Sequence, residues 1–142
     1  MVSIGKYGVG EVFVVRLRKG EEIISCLKET ARKLGIKGAL FMGIGAVEFA
    51  KIGVFSAGEY KTREVRGDLE VVSLVGNISL KDNEPFIHAH ITLADSERTY
   101  AGHLFEAVVS VTAEIFILTV DGEIRRSFDE ETGLYLMDLR GL

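Results

Sequence analysis

A single cysteine, Cys26, stands in the whole chain, so no intramolecular disulfide can hold the fold. Stability has to come from a buried core, and 142 residues are enough to build one as a single domain spanning 1–142. No apolar run is long enough to cross a bilayer, and the N-terminus has no basic region leading into an apolar stretch. Both absences predict a cytoplasmic protein with no membrane role. Basic charge is also short: 17 Lys and Arg stand against 21 Asp and Glu, a net charge of -4, with no dense basic cluster. A surface built chiefly for the phosphate backbone needs such clusters, which argues against that class. The Walker A and nucleophile-elbow patterns are missing, which excludes the familiar NTPase and hydrolase chemistries. Tryptophan and glutamine are absent, Asn77 and Asn83 are the two asparagines, and 27% of residues are charged, a thermophile-like composition.

The patterns present describe an α+β chain with one main helix packed on a mainly antiparallel sheet. Glu11 to Arg18 reads as a strand, with Phe13, Val15 and Leu17 on one face. A helix follows over Glu21 to Leu34, carrying an apolar stripe of Ile23, Ile24, Leu27, Ala31 and Leu34. Glu21 and Glu22 suit its positive end, Arg32 and Lys33 its negative end, and Gly35 a left-handed cap. Cys26 sits beside that stripe and reads as a packing residue. The rest is rich in β-branched and aromatic residues: Ile36 to Ile44, Val47 to Phe55, Leu69 to Leu80, Pro85 to Ala94 and Val108 to Val120. Lys81 to Glu84 is a polar turn that makes hairpin partners of Val71 to Ser79 and Phe86 to Leu93, and Asp121-Gly122 marks another turn. Gly43-Ile44-Gly45 resembles the start of a dinucleotide fingerprint but lacks its third glycine and a following helix, so these glycines predict a bend or close backbone packing. Strands apolar on both faces, such as Ile115 to Val120, call for a subunit partner.

All three histidines fall between positions 88 and 103, as His88-Ala89-His90 and then Gly102-His103-Leu104. On a strand His88 and His90 share one face, because side chains alternate with period two. Two imidazoles so placed can share a cation, and His103 would complete a three-nitrogen set that leaves a zinc position open to water or substrate. A lone histidine is more often a half-buried residue bonded to backbone; three together put the metal reading level with that one. A metal-bound water needs a base or an orienting carboxylate, for which Glu106 and Glu114 are the candidates. Glu106 would approach His103 in a helical turn but lie on the opposite face of a strand. Each of these acids, and Glu70, reads first as a structural charge, facing solvent or in a subunit salt bridge, and only second as a partner of the metal site. Arg63, Arg66, Arg125 and Arg126 fall in expected loops, where solvated charge is the usual explanation.

Taken together, Leu69 to Ser79, Pro85 to His90 and Gly102 to Glu106, with Gly43 to Phe55 and Val108 to Leu118 around them, resemble the PPC domain, conserved between plants and prokaryotes. The likeness covers about Glu11 to Tyr135. It implies an antiparallel sheet flanked by helix and a homotrimer. In some prokaryotic members the histidines matching His88, His90 and His103 carry metal, which implies zinc or another divalent ion here. In plants the domain accompanies AT-hooks in nuclear DNA-binding proteins, so DNA or DNA-associated proteins are implied partners. This chain has no Arg-Gly-Arg-Pro core for the minor groove, and its acidic balance lends direct DNA contact little support. Two functions follow as expectations: a trimeric, metal-binding regulatory or DNA-associated assembly module, or a small metal-dependent enzyme that activates water at an intersubunit three-histidine site.

Overall fold

The computed structural model describes residues 2–139. Its elements are β1 (Gly8–Arg18), α1 (Ile23–Leu34), β2 (Ala39–Ser56), β3 (Glu59–Lys81), β4 (Glu84–Ala94), β5 (Thr99–Asp121), β6 (Arg125–Asp129) and β7 (Leu134–Asp138). The α+β architecture is as the periodicities predict, one helix against antiparallel strands, but the strands run longer than expected. The helix begins later than expected, and Glu22 stands just outside it as its cap. The Glu22 carboxylate accepts from the backbone N–H groups of Ile24 and Ser25, each at 2.8 Å. Gly35 ends the helix in the left-handed conformation, with φ 65°. Ile23, Leu27 and Ala31 are the residues the helix buries.

The two strands expected on either side of Gly43–Gly45 are one, β2, with a register shift at that point against β3. The glycines serve close packing: a Cβ on Gly43 would sit 2.7 Å from the Glu114 carbonyl oxygen, and one on Gly45 would run into that of Thr112. The expected hairpin of β3 and β4 forms with Asp82 and Asn83 at its tip, both at positive φ, as a two-residue turn of the primed kind requires. Arg63 and Arg66, expected in a loop, lie in β3. Their guanidinium groups stack over Tyr100 and Phe49, 5.1 and 4.4 Å from the ring centres. Arg125 and Arg126, also expected in a loop, belong to β6.

Strands β2, β3, β4 and β5 pair in a ring: β2 with β3 and β5, and β4 with β3 and β5. The ring is split on one side. Strand β5 holds β4 only over Thr99–His103 and takes up β1 again at Thr112–Asp121. The residues just ahead of α1, Gly20 to Glu22, fill the interval between them. Val109 exchanges backbone hydrogen bonds there with Gly20 and Glu21 (2.8 and 2.9 Å), and Ala107 donates to the Glu22 carboxylate at 3.0 Å. Inside the ring Phe41, Ile52, Leu74, Ile78, Ile115 and Ile117 pack with Ile23 and Leu27 of the helix, all fully buried. Each such side chain contributes about 1.5–3 kcal/mol.

The outer face is different. Directly opposed residues across the strands share a face, and one row runs His90, Val75, Met42, Phe116, Val14 through β4, β3, β2, β5 and β1. Every member of that row is exposed, as are Val12, Leu40, Ile44, Val72 and Val111 nearby.

Candidate metal centre

The histidines meet where β4 parts from β5. His90 is directly opposite His103 in the last pair that joins the two strands, and His88 lies one alternation further along β4 on the same face. The ring centres are 5.2 Å (His88 to His90), 5.2 Å (His88 to His103) and 5.6 Å (His90 to His103) apart. One nitrogen from each lies within 4.8 Å of the other two. His88 and His103 are half-buried and His90 faces solvent.

Both half-buried rings are held neutral. Burial, followed by the neighbouring His88 and His90, pushes His103 from its ordinary 6.5 down to about 4. Burial again, then the Arg126 guanidinium and His90, lowers His88. Neutral imidazole is the form that ligates, so the donor set fits a divalent ion at neutral pH. The Tyr60 hydroxyl stands 3.3 Å from Nδ1 of His103, with the rings 4.7 Å apart. When that hydroxyl accepts from Nδ1–H, Nε2 is left with its lone pair for a metal. Phe105 packs on the imidazole at 4.6 Å and on the Tyr60 ring at 5.1 Å, so the three rings form one cluster.

The Plants and Prokaryotes Conserved (PCC) domain matches the chain over residues 5–121. The chain belongs to this family. Among solved structures, a metal-containing protein from Archaeoglobus fulgidus is 39% identical, with 96% of this chain and 99% of that one covered and a TM-score of 0.91. A plant- and prokaryote-conserved (PPC) protein from Pyrococcus horikoshii is also 39% identical, with both chains fully covered and a TM-score of 0.90. A "putative dna binding protein" from Bacteroides thetaiotaomicron is 26% identical over 94% of this chain and 97% of that one, with a TM-score of 0.87. No curated protein matches the chain.

In this PPC chain the acids considered as partners of the histidines stand elsewhere. Glu106 is exposed and in register with Lys51; the register shift at Phe105 breaks the alternation of β5 and brings Glu106 to the same face as His103, contrary to what an unbroken strand would give, yet it is not part of the three-histidine group. Glu114 is exposed between Arg16 of β1 and Ile44 of β2. Among the described residues the group able to hold a metal consists of the three histidines alone. Sequence reasoning missed Tyr60 and misread Arg126. Arg126 is half-buried: its Nε donates to Ser79 Oγ (2.7 Å), Nη1 to the Tyr135 carbonyl (2.9 Å) and Nη2 to Asn77 Oδ1 (2.9 Å), with His88 Nδ1 3.5 Å from Nη2. The contact with His88 spans 38 residues and that of Tyr60 with His103 spans 43, so no local pattern announces either.

Proposed function

We propose that the chain is a homotrimeric metal-binding PPC protein in which His88, His90 and His103 hold one divalent ion, zinc or one of similar ligand preference, and which acts as a regulatory or DNA-associated assembly module. The observation that carries the reading is the convergence of three imidazole nitrogens within 4.8 Å on a face that continues directly into exposed apolar surface. A bound ion would supply Lewis acidity and an open position beside its three protein ligands. The likeness to the metal-containing Archaeoglobus protein supports the metal, and the exposed row from Val75 to Val14 supports the assembly, since uncovered apolar surface of that extent invites association. DNA rests on the name of the Bacteroides relative; the 17 basic against 21 acidic residues favour a partner-mediated role over direct contact. The cytoplasm, where Cys26 stays reduced, is the proposed compartment.

Metal analysis of the purified full chain, joined to sedimentation equilibrium, tests both halves. The reading expects one ion per chain and three chains per particle; a metal-free or monomeric protein at low micromolar concentration refutes the corresponding half.

One observation favours the second reading, a small metal-dependent enzyme: His88 and His103 line a cavity of about 360 Å³. Glu106 and Glu114 are not among the residues that line that cavity, so neither of these two candidates stands ready there as the base for water activation.

A further inference from the structure

We infer that the cavity beside His88 and His103 is a binding site for a small organic carboxylate, with Arg126 as the anion-recognising group and an aromatic wall for the apolar body of the ligand. The inference rests on the metal reading for one of its charges, and on Arg126 for the other.

Charge is the first argument. Arg126 is half-buried, and its hydrogen bonds go to a hydroxyl, an amide oxygen and a backbone carbonyl, all neutral. The ion pairs of the described residues engage Arg32, Lys33, Arg66 and Arg125, leaving the Arg126 charge without a carboxylate. A guanidinium stays protonated under these conditions, and a half-buried charge of this kind is costly unless something compensates it. The three imidazoles add no negative charge. A divalent ion on them would raise the positive charge of the pocket further, so the complete site calls for an anion that the described residues do not supply.

Shape is the second argument. About 360 Å³ lies within the range of small-ligand pockets. Tyr60, Phe86, Phe105, Leu134 and Tyr135 line it, so its walls are mainly aromatic and aliphatic. The guanidinium lies over the Phe86 ring, 4.9 Å from its centre, which sets it against one wall. A planar cation at one end of an apolar box suits a carboxylate on a compact hydrocarbon or aryl group, because the fork of N–H donors matches carboxylate geometry. The hydrogen bonds that Arg126 already makes are what hold the fork in place.

The test is isothermal titration of the full chain, both zinc-loaded and zinc-free, with benzoate, benzamide and inorganic phosphate as probes. Zinc stoichiometry is measured on the same samples. Benzoate is expected to bind once per chain, with neutral benzamide weaker by about tenfold or more because the charge-assisted bonds are lost. Arg126→Gln should weaken benzoate by a similar factor, and Leu134→Trp, which fills the cavity while leaving Arg126 and the histidines in place, should remove binding. Both variants are expected to keep their zinc. A purely structural Arg126 would change the melting temperature and leave benzoate affinity alone. Benzoate that fails to bind either form of the protein, or binds both variants like the parent, overturns the inference. Phosphate bound in preference to benzoate overturns the carboxylate assignment. If the chain takes up no zinc, the metal reading fails separately, and benzoate binding to the zinc-free protein that depends on Arg126 still sustains this one.

Discussion

The outer face of the sheet and the cleft where β4 leaves β5 are both partly open to water, yet they are made of opposite materials. On the face, Val75, Met42, Phe116 and Val14 follow one another across four strands with no polar group between them. In the cleft, three imidazoles bring nitrogens within 4.8 Å of one another, with a guanidinium 3.5 Å from His88 and a phenol 3.3 Å from His103. Apolar surface has no direction, so the face asks only for area to cover it. Hydrogen-bonding and charged groups are directional, so the cleft asks for a ligand of particular geometry and sign. His90 belongs to both, since it ends the apolar row and stands opposite His103.

The sharpest way to separate the two is to remove a ligand. His88→Ala should bring metal content from about one ion per three-histidine site to none while the circular dichroism spectrum and the particle mass stay unchanged. Unchanged metal stoichiometry would show that other residues hold the ion. The converse substitution is Met42→Asp, at the centre of the apolar row. It should convert the proposed trimer to monomers at low micromolar concentration, because burying an unpaired carboxylate costs several kcal/mol. If metal is lost along with the trimer, the face and the cleft form one unit and the comparison breaks.

Smaller effects sharpen it. Tyr60→Phe removes the hydroxyl next to His103 Nδ1 and should weaken zinc about tenfold, in line with other residues that orient a metal ligand, with no change in assembly. The metal-free protein should lose stability as pH falls from 6.5 to about 4. Over that window the unfolded chain binds a proton at His103 that the folded chain refuses, so stability rises with pH there and is complete above it. His88 acts in the same sense. Denaturant midpoints across this range measure it, and the curve of the His103→Phe variant should be flatter. The smallest signal expected is direct DNA binding: fluorescence anisotropy with A·T-rich and mixed duplexes should show weak, nonspecific binding that disappears as salt rises. Tight, sequence-selective binding at high salt would make the protein a DNA reader in its own right.

What the sequence alone determined is local. Period-two alternation put His88 and His90 on one face, the Lys81 to Glu84 turn paired the two strands around it, and the apolar stripe with Gly35 behind it marked the helix. Each of these depends on neighbours a few residues apart, where backbone geometry dictates the outcome. Tertiary structure decided the rest. Residues Glu59 to Arg66 join β3 although mostly exposed and charged, because pairing with β2 satisfies their backbone and the pattern of side chains does not reveal it. His103 reaches His90 through the register of β5 on β4, and a register shift at Phe105, which alternation alone does not foretell, turns Glu106 to the same face as His103. Arg126, indistinguishable in sequence from its exposed neighbour Arg125, enters the cleft only because β6 docks beside the end of β3, where Ser79 and Asn77 receive it. Local periodicity tells which side of an unbroken strand a residue occupies. What it faces there is settled by strand register and by the closing of the β2–β3–β4–β5 ring, both products of contacts between residues far apart in the chain.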